Sequence, residues 1–188
     1  MIEFKIHNIA LRIDFSFFAI LFIYFSFDSS TEILAISACI VHELSHLLLM
    51  AILHVPIKEV FLYGAGIRIS AMLDTSTCAV KTSCLAAGVA ANFVVSAVAF
   101  VMGEFLFSAV NLVTGMFNLL PVGEFDGAQL LKMILLRSVK PEKVDGIMKK
   151  AGIISIFLCL TGIISISGYV RPMVLVVIVY LLIIVFIS

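Results

Sequence analysis

Apolar residues run along this chain in long blocks broken by short polar clusters. A helix needs about 20 apolar residues to cross a bilayer core. Six stretches approach that length: 13–27, 32–53, 79–101, 104–121, 150–167 and 172–187. Only Gly103 and Glu104 separate the third from the fourth, which predicts a tight helical hairpin. Elsewhere the period changes. Ile2-Glu3-Phe4-Lys5-Ile6-His7 alternates apolar and polar, a strand signal. Residues 59–63 are mostly apolar and aromatic, Gly64-Ala65-Gly66 reads as a turn, and Ile67-Arg68-Ile69-Ser70 alternates again. A hairpin over 59–72 is expected, with room for the N-terminal strand beside it. The pattern predicts an all-α polytopic membrane protein: six transmembrane helices and a small membrane-associated β-sheet or hairpin, in a single domain over 1–188.

Composition agrees. The chain is 63% hydrophobic, against about 45–50% for a soluble domain, and its mean hydropathy is +1.24. Twelve basic and twelve acidic residues balance, so no nucleic-acid partner is expected. Placement is more telling than number. Lys5 and Arg12 precede the first stretch, and Lys58, Arg68 and Lys81 lie between the second and third. Lys132, Arg137, Lys140, Lys143, Lys149 and Lys150 lie between the fourth and fifth. In a six-span layout every basic residue except Arg171 falls on one side, opposite Asp28, Glu32 and Glu104. By the positive-inside rule both termini are cytosolic. No cleavable signal peptide is expected from the opening residues. Cys39, Cys78, Cys84 and Cys159 form no C-x-x-C pair, and no structural disulfide is expected. Cys39, one turn before His42, is read as a small buried residue, with a place facing the metal as the alternative.

One polar cluster lies inside an apolar block. Between residues 33 and 55 the only charged or imidazole groups are His42, Glu43, His46 and, at the end, His54. His42-Glu43-Leu44-Ser45-His46 is a His-Glu-x-x-His pentad. On a helix it puts two imidazoles on one face to grip one zinc ion, with the glutamate placed to act on a water held by that ion. Ionisable groups at membrane depth usually mark function.

Such a centre needs a third protein ligand. His7, in the predicted strand, and His54, at the helix end, are poor candidates. The segment Asn118-Leu119-Leu120-Pro121-Val122-Gly123-Glu124-Phe125-Asp126-Gly127 is better. Pro121 and Gly123 should break the fourth helix near the membrane, where irregular backbone is tolerated only if it lines protein or a wet cavity. The break delivers a carboxylate: Asp126 first, Glu124 as its rival. Asn92 and Asn118 are amides in apolar stretches and need partners. Each serves either a substrate backbone or oxyanion, or helix-to-helix bonding.

The pentad followed by Asn-x-x-Pro-x-x-x-x-Asp-Gly resembles the site-2 protease family of intramembrane zinc metalloproteases. The compact layout is most similar to the stage IV sporulation factor branch, which cleaves a membrane-tethered precursor of a transcription factor. The resemblance covers roughly residues 40–130 and implies one zinc per chain on His42, His46 and Asp126, with Glu43 as the catalytic base. Gly88-Val89-Ala90-Ala91-Asn92 resembles the family's glycine motif ending in asparagine, with Val89 where a proline often stands. It implies a membrane-tethered protein substrate, and the chain shows neither a PDZ-like nor a nucleotide-binding domain. The competing classes fit less well. A membrane di-iron enzyme needs more than four histidines, and a serine protease would want a G-x-S-x-G motif. A metal transporter or an inactive protease-like scaffold is the alternative. The intact Glu43 argues against the scaffold.

Overall fold

The computed structural model describes residues 2–6, 9–15, 18, 30–63, 66–71, 76–167 and 172–187. Its internal contacts divide the chain into two compact units, Met1–Gly115 and Met116–Ser188.

The first unit combines a four-stranded sheet with a helical pair. Strands β1 (Ile2–Ile6), β2 (Ile9–Ile13), β3 (Ile57–Tyr63) and β4 (Gly66–Ala71) lie in the order β1-β2-β3-β4. The expected hairpin over 59–72 is present as β3 and β4, paired antiparallel. The N-terminal strand joins it through β2, which is antiparallel to β1 and parallel to β3. Strand β2 was not expected. Ile9-Ala10-Leu11-Arg12-Ile13 has no clean alternation, and a short apolar run does not distinguish strand from helix. Arg12 pins the three strands. Its Nη1 donates to Glu59 Oε1 at 2.9 Å and its Nε to Glu3 Oε1 at 3.3 Å. The bond to Glu3, then the charges of Glu3 and Glu59, raise the guanidinium's pKa above its ordinary value. The first predicted span, 13–27, begins inside β2 and otherwise lies largely outside the described residues, as does His7.

Helix α1 (Ser30–Ile52) carries the pentad. It stops where His54 adopts a left-handed φ of 54°. The Val55 N–H then reaches back to the Met50 carbonyl at 2.9 Å, which satisfies one of the last carbonyls. His54 is exposed, as expected of a histidine at a helix end. Helix α2 (Cys78–Val101) starts at Thr77, whose side chain accepts from the Val80 N–H. Gly103, at φ 85°, turns the chain directly into α3 (Phe105–Asn118). The Glu104 N–H bonds the Ala99 carbonyl at 2.9 Å, so the predicted tight hairpin is observed. Met50, Val55 and Cys84 form a buried cluster with Ile57, Ile69, Ala71 and Val80, which fastens the sheet to the helix ends.

The buried stripe of α1 is Ala38, His42, His46 and Met50, one residue per turn, while Leu44 and Leu48 face outward. Val94, Val98 and Phe100 do the same on α2. Cys39 is exposed on α1, contrary to the expectation of burial, because it lies beside the buried stripe. Among the described residues two helices are long and apolar enough to cross a membrane, Ile33–Ile52 and Cys78–Val101. Phe105–Asn118 and Val177–Phe186 are apolar but shorter. Polar side chains on these outer faces bond backward within their own helix. Ser45 donates to the Val41 carbonyl at 2.6 Å and Thr114 to Val110 at 2.9 Å.

The second unit holds the irregular segment 119–125 and helices α4 (Asp126–Ser138), α5 (Pro141–Ser167) and α6 (Pro172–Ile187). The fourth predicted span ends at Asn118 rather than 121, and the fifth helix begins at Pro141 rather than 150. The lysine-rich segment between the fourth and fifth predicted spans is therefore mostly helical. Its signals are local: Asp126 and Arg137 complement the dipole of α4, and Pro141 suits a first helical position. Val122, Ile156, Leu181 and Val185 form the core, with Leu120 and Phe125 packed on it.

Candidate metal centre

The pentad places His42 and His46 on the buried side of α1, 4% and 6% exposed. Their rings meet edge to face with centroids 4.8 Å apart. What α2 does to them decides the chemistry. His46 Nδ1 lies 2.7 Å from the Cys84 carbonyl. A carbonyl only accepts, so Nδ1 carries the proton and Nε2 presents a lone pair. His42 Nδ1 lies 2.7 Å from Asn92 Oδ1. The Asn92 amide is oriented by its Nδ2, which donates to the Ala38 carbonyl and to Asn111 Oδ1, each at 3.1 Å. Its oxygen must then accept from His42, and His42 Nε2 also presents a lone pair. The two Nε2 atoms are 3.2 Å apart. Two nitrogens on a tetrahedral zinc, at about 2.0–2.1 Å each, would be about 3.3–3.4 Å apart. Fixing Nδ1 as donor is how proteins prepare histidines for a metal. The pair fits zinc in tautomer, spacing and donor type.

Gly88 makes the arrangement possible. A Cβ there would press against His46 Nε2 and lie 2.6 Å from His42 Cε1. Only hydrogen leaves room for both imidazoles against α2. Glu43, next to His42, is half-buried on the edge of this face. Asn92, buried completely, bonds across to α1 and α3. This is the helix-to-helix role weighed for it in the sequence.

In the second unit Asn118 is the last residue of α3 and half-buried. The chain then leaves the helix. The Leu119 and Leu120 N–H groups bond to Met116 and Phe117 at 3.2 and 3.1 Å, and Gly123 turns with φ 57°. Asp126 opens α4, 9% exposed, where the helix dipole favours a carboxylate. The glycine after it has a steric reason. A Cβ on Gly127 would run into the backbone of Leu119, including its carbonyl oxygen and its Cα. The Asp-Gly pair is thus a buried carboxylate followed by a seat for the returning chain. Glu124, the rival, is exposed in the turn.

No family model and no curated protein matches this chain. Among solved structures it is similar to the site-2 protease from Methanocaldococcus jannaschii. The match has a TM-score of 0.65, covers 98% of this chain and 93% of that one, and has 22% identical residues. The chain shares the fold of a site-2 protease.

Within that fold, sequence reading found both histidines but missed their supports. Asn111 and the Cys84 carbonyl were not singled out. Asn111 was findable, because it is an amide in an apolar helix, like Asn92. A backbone carbonyl leaves no mark in a sequence.

Proposed function

We propose that this protein is an intramembrane zinc metalloprotease that cleaves a membrane-tethered protein. The observation that carries this is the pair of Nε2 lone pairs 3.2 Å apart, with both Nδ1 atoms committed to partners. We assign His42, His46 and Asp126 together as the donors for one metal ion. Two imidazoles and a carboxylate suit zinc and leave a fourth position for chemistry. When bound, zinc supplies a Lewis acid that acidifies water and polarises a peptide carbonyl. Glu43 accepts the proton of the attacking water as its oxygen bonds the peptide carbon. It passes that proton to the amine as the C–N bond breaks. The cytosolic termini and the multi-pass layout in a bacterial membrane belong to this reading, supported by the basic-residue asymmetry.

A helical substrate hides its amides and must unwind before cleavage. Among the described residues β4 pairs with β3 on one side and is the last strand of the sheet on the other. We assign its outer edge to the unwound segment, bound by strand addition. Proline at Ile67 or Ile69 removes an N–H and should abolish cleavage with zinc content unchanged. Asn118 is the polar group offered to the substrate backbone; every polar side-chain atom of Asn92 is already bonded within the protein. The compact layout makes a transcription-factor precursor the first substrate to try. A pure scaffold would have no use for Glu43.

The test is Glu43→Gln. The amide keeps the shape and cannot take the proton. Cleavage of a reconstituted single-span substrate should fall by at least about 10²-fold with zinc retained. Near wild-type cleavage by Glu43→Gln would refute the mechanism.

A further inference from the structure

Two buried polar pairs join α2 to α3. They differ in where their hydrogen bonds lead. Ser96 and Ser108 each donate to the other's carbonyl, at 2.9 and 2.8 Å, and the network closes on itself. Asn92 and Asn111, one turn away, form an open line. Asn111 Nδ2 donates to the Phe107 carbonyl at 3.0 Å within its own helix. That carbonyl only accepts, so the Asn111 amide has one orientation and turns its oxygen to Asn92. Asn92 answers with Nδ2 at 3.1 Å and turns its own oxygen to His42. Each link fixes the next, from a backbone carbonyl on α3 to the proton on His42 Nδ1. Gly115, one turn beyond Asn111, lets the helices approach: a Cβ there would lie 3.3 Å from Asn92 Cβ.

We propose that Asn111 is a positioning residue of the metal centre, acting on His42 through Asn92. The inference rests on the metal-centre reading above and deepens it. Asn92 has two N–H groups, and the Ala38 carbonyl takes only one. Asn111 takes the other and opposes rotation of the amide. Without it Asn92 can swing, and an amide N–H turned toward His42 would push the imidazole into the wrong tautomer for metal. Asn111 is completely buried.

The experiment measures Zn2+ affinity and the visible spectrum of the Co2+-substituted full chain in detergent. Asn111→Leu should weaken zinc about tenfold, the low end for an outer partner of a ligand. It should also shift the cobalt bands, which report the ligand field rather than folding. Asn92→Leu should lose at least as much. The double variant should lose no more than Asn92→Leu alone, because both act on one bond. Ser96→Ala should lower the melting temperature and leave affinity and spectrum unchanged. If Asn111→Leu does not purify, Asn111→Ser carries the same prediction. Wild-type affinity and bands in the Asn111 variant, or additive losses in the double variant, overturn the role of Asn111 alone. A wild-type chain that takes up neither zinc nor cobalt overturns the metal reading as well.

Discussion

Around His42 and His46 the candidate ligands meet α2 through hydrogen bonds; around Asp126 two glycines set the path of the backbone. In the first region α2 offers a carbonyl and an amide, and each imidazole hangs from one of them. In the second, Gly123 turns the chain and Gly127 leaves space for Leu119 to pack against the start of α4. Val122 then seals the segment into a small apolar core. Hydrogen bonds set direction and tautomer, which an imidazole needs because only one of its nitrogens should face a metal. A carboxylate has two equivalent oxygens and no tautomer to choose. Loss of a supporting hydrogen bond in the first region should therefore act on metal affinity by degrees, and filling the space at Gly127 in the second should act on folding outright.

The largest effect is expected at Gly127. An added methyl meets backbone, which cannot rotate away. Gly127→Ala should destabilise by about 1–3 kcal/mol or more, as overpacking does, and should appear as reduced yield and a lowered melting temperature. A normal melt would show that the segment repacks freely. Next comes Gly88→Ala. Its methyl meets imidazoles rather than backbone. The protein should fold and insert while zinc content drops sharply; full zinc occupancy would mean the rings have room to move. Asp126→Ala should lose zinc and keep the fold, whereas Glu124→Ala should keep both. Metal analysis of the two purified variants decides between them, and zinc loss confined to Glu124→Ala would reverse the assignment. The smallest effect is Ser96→Ala, about 1 kcal/mol for a lost hydrogen bond, read as a small shift in melting temperature with no change in metal.

Most of the helical part of the fold was legible because long apolar runs mark its helices. The pentad was legible for a related reason: three ionisable groups stand out against residues 33–55. Strand β2 and helix α4 were not. Ile9–Ile13 is too short for its period to speak, and the charges of 126–138 kept that segment out of the apolar runs from which helices were read. The outer layer of the site was half legible. Asn92 could be picked as a polar residue in an apolar helix, but its bond to His42 spans 50 positions of sequence. The space at Gly88 exists only once two helices are packed.

X-ray absorption at the zinc edge, on the purified full chain beside His46→Ala, tests the central claim most directly. The wild type should carry one zinc with only nitrogen and oxygen neighbours and the multiple-scattering signature of two imidazoles. His46→Ala should lose the metal or retain a one-imidazole signature. A wild-type chain without stoichiometric zinc, or with sulfur bound to it, would contradict the account.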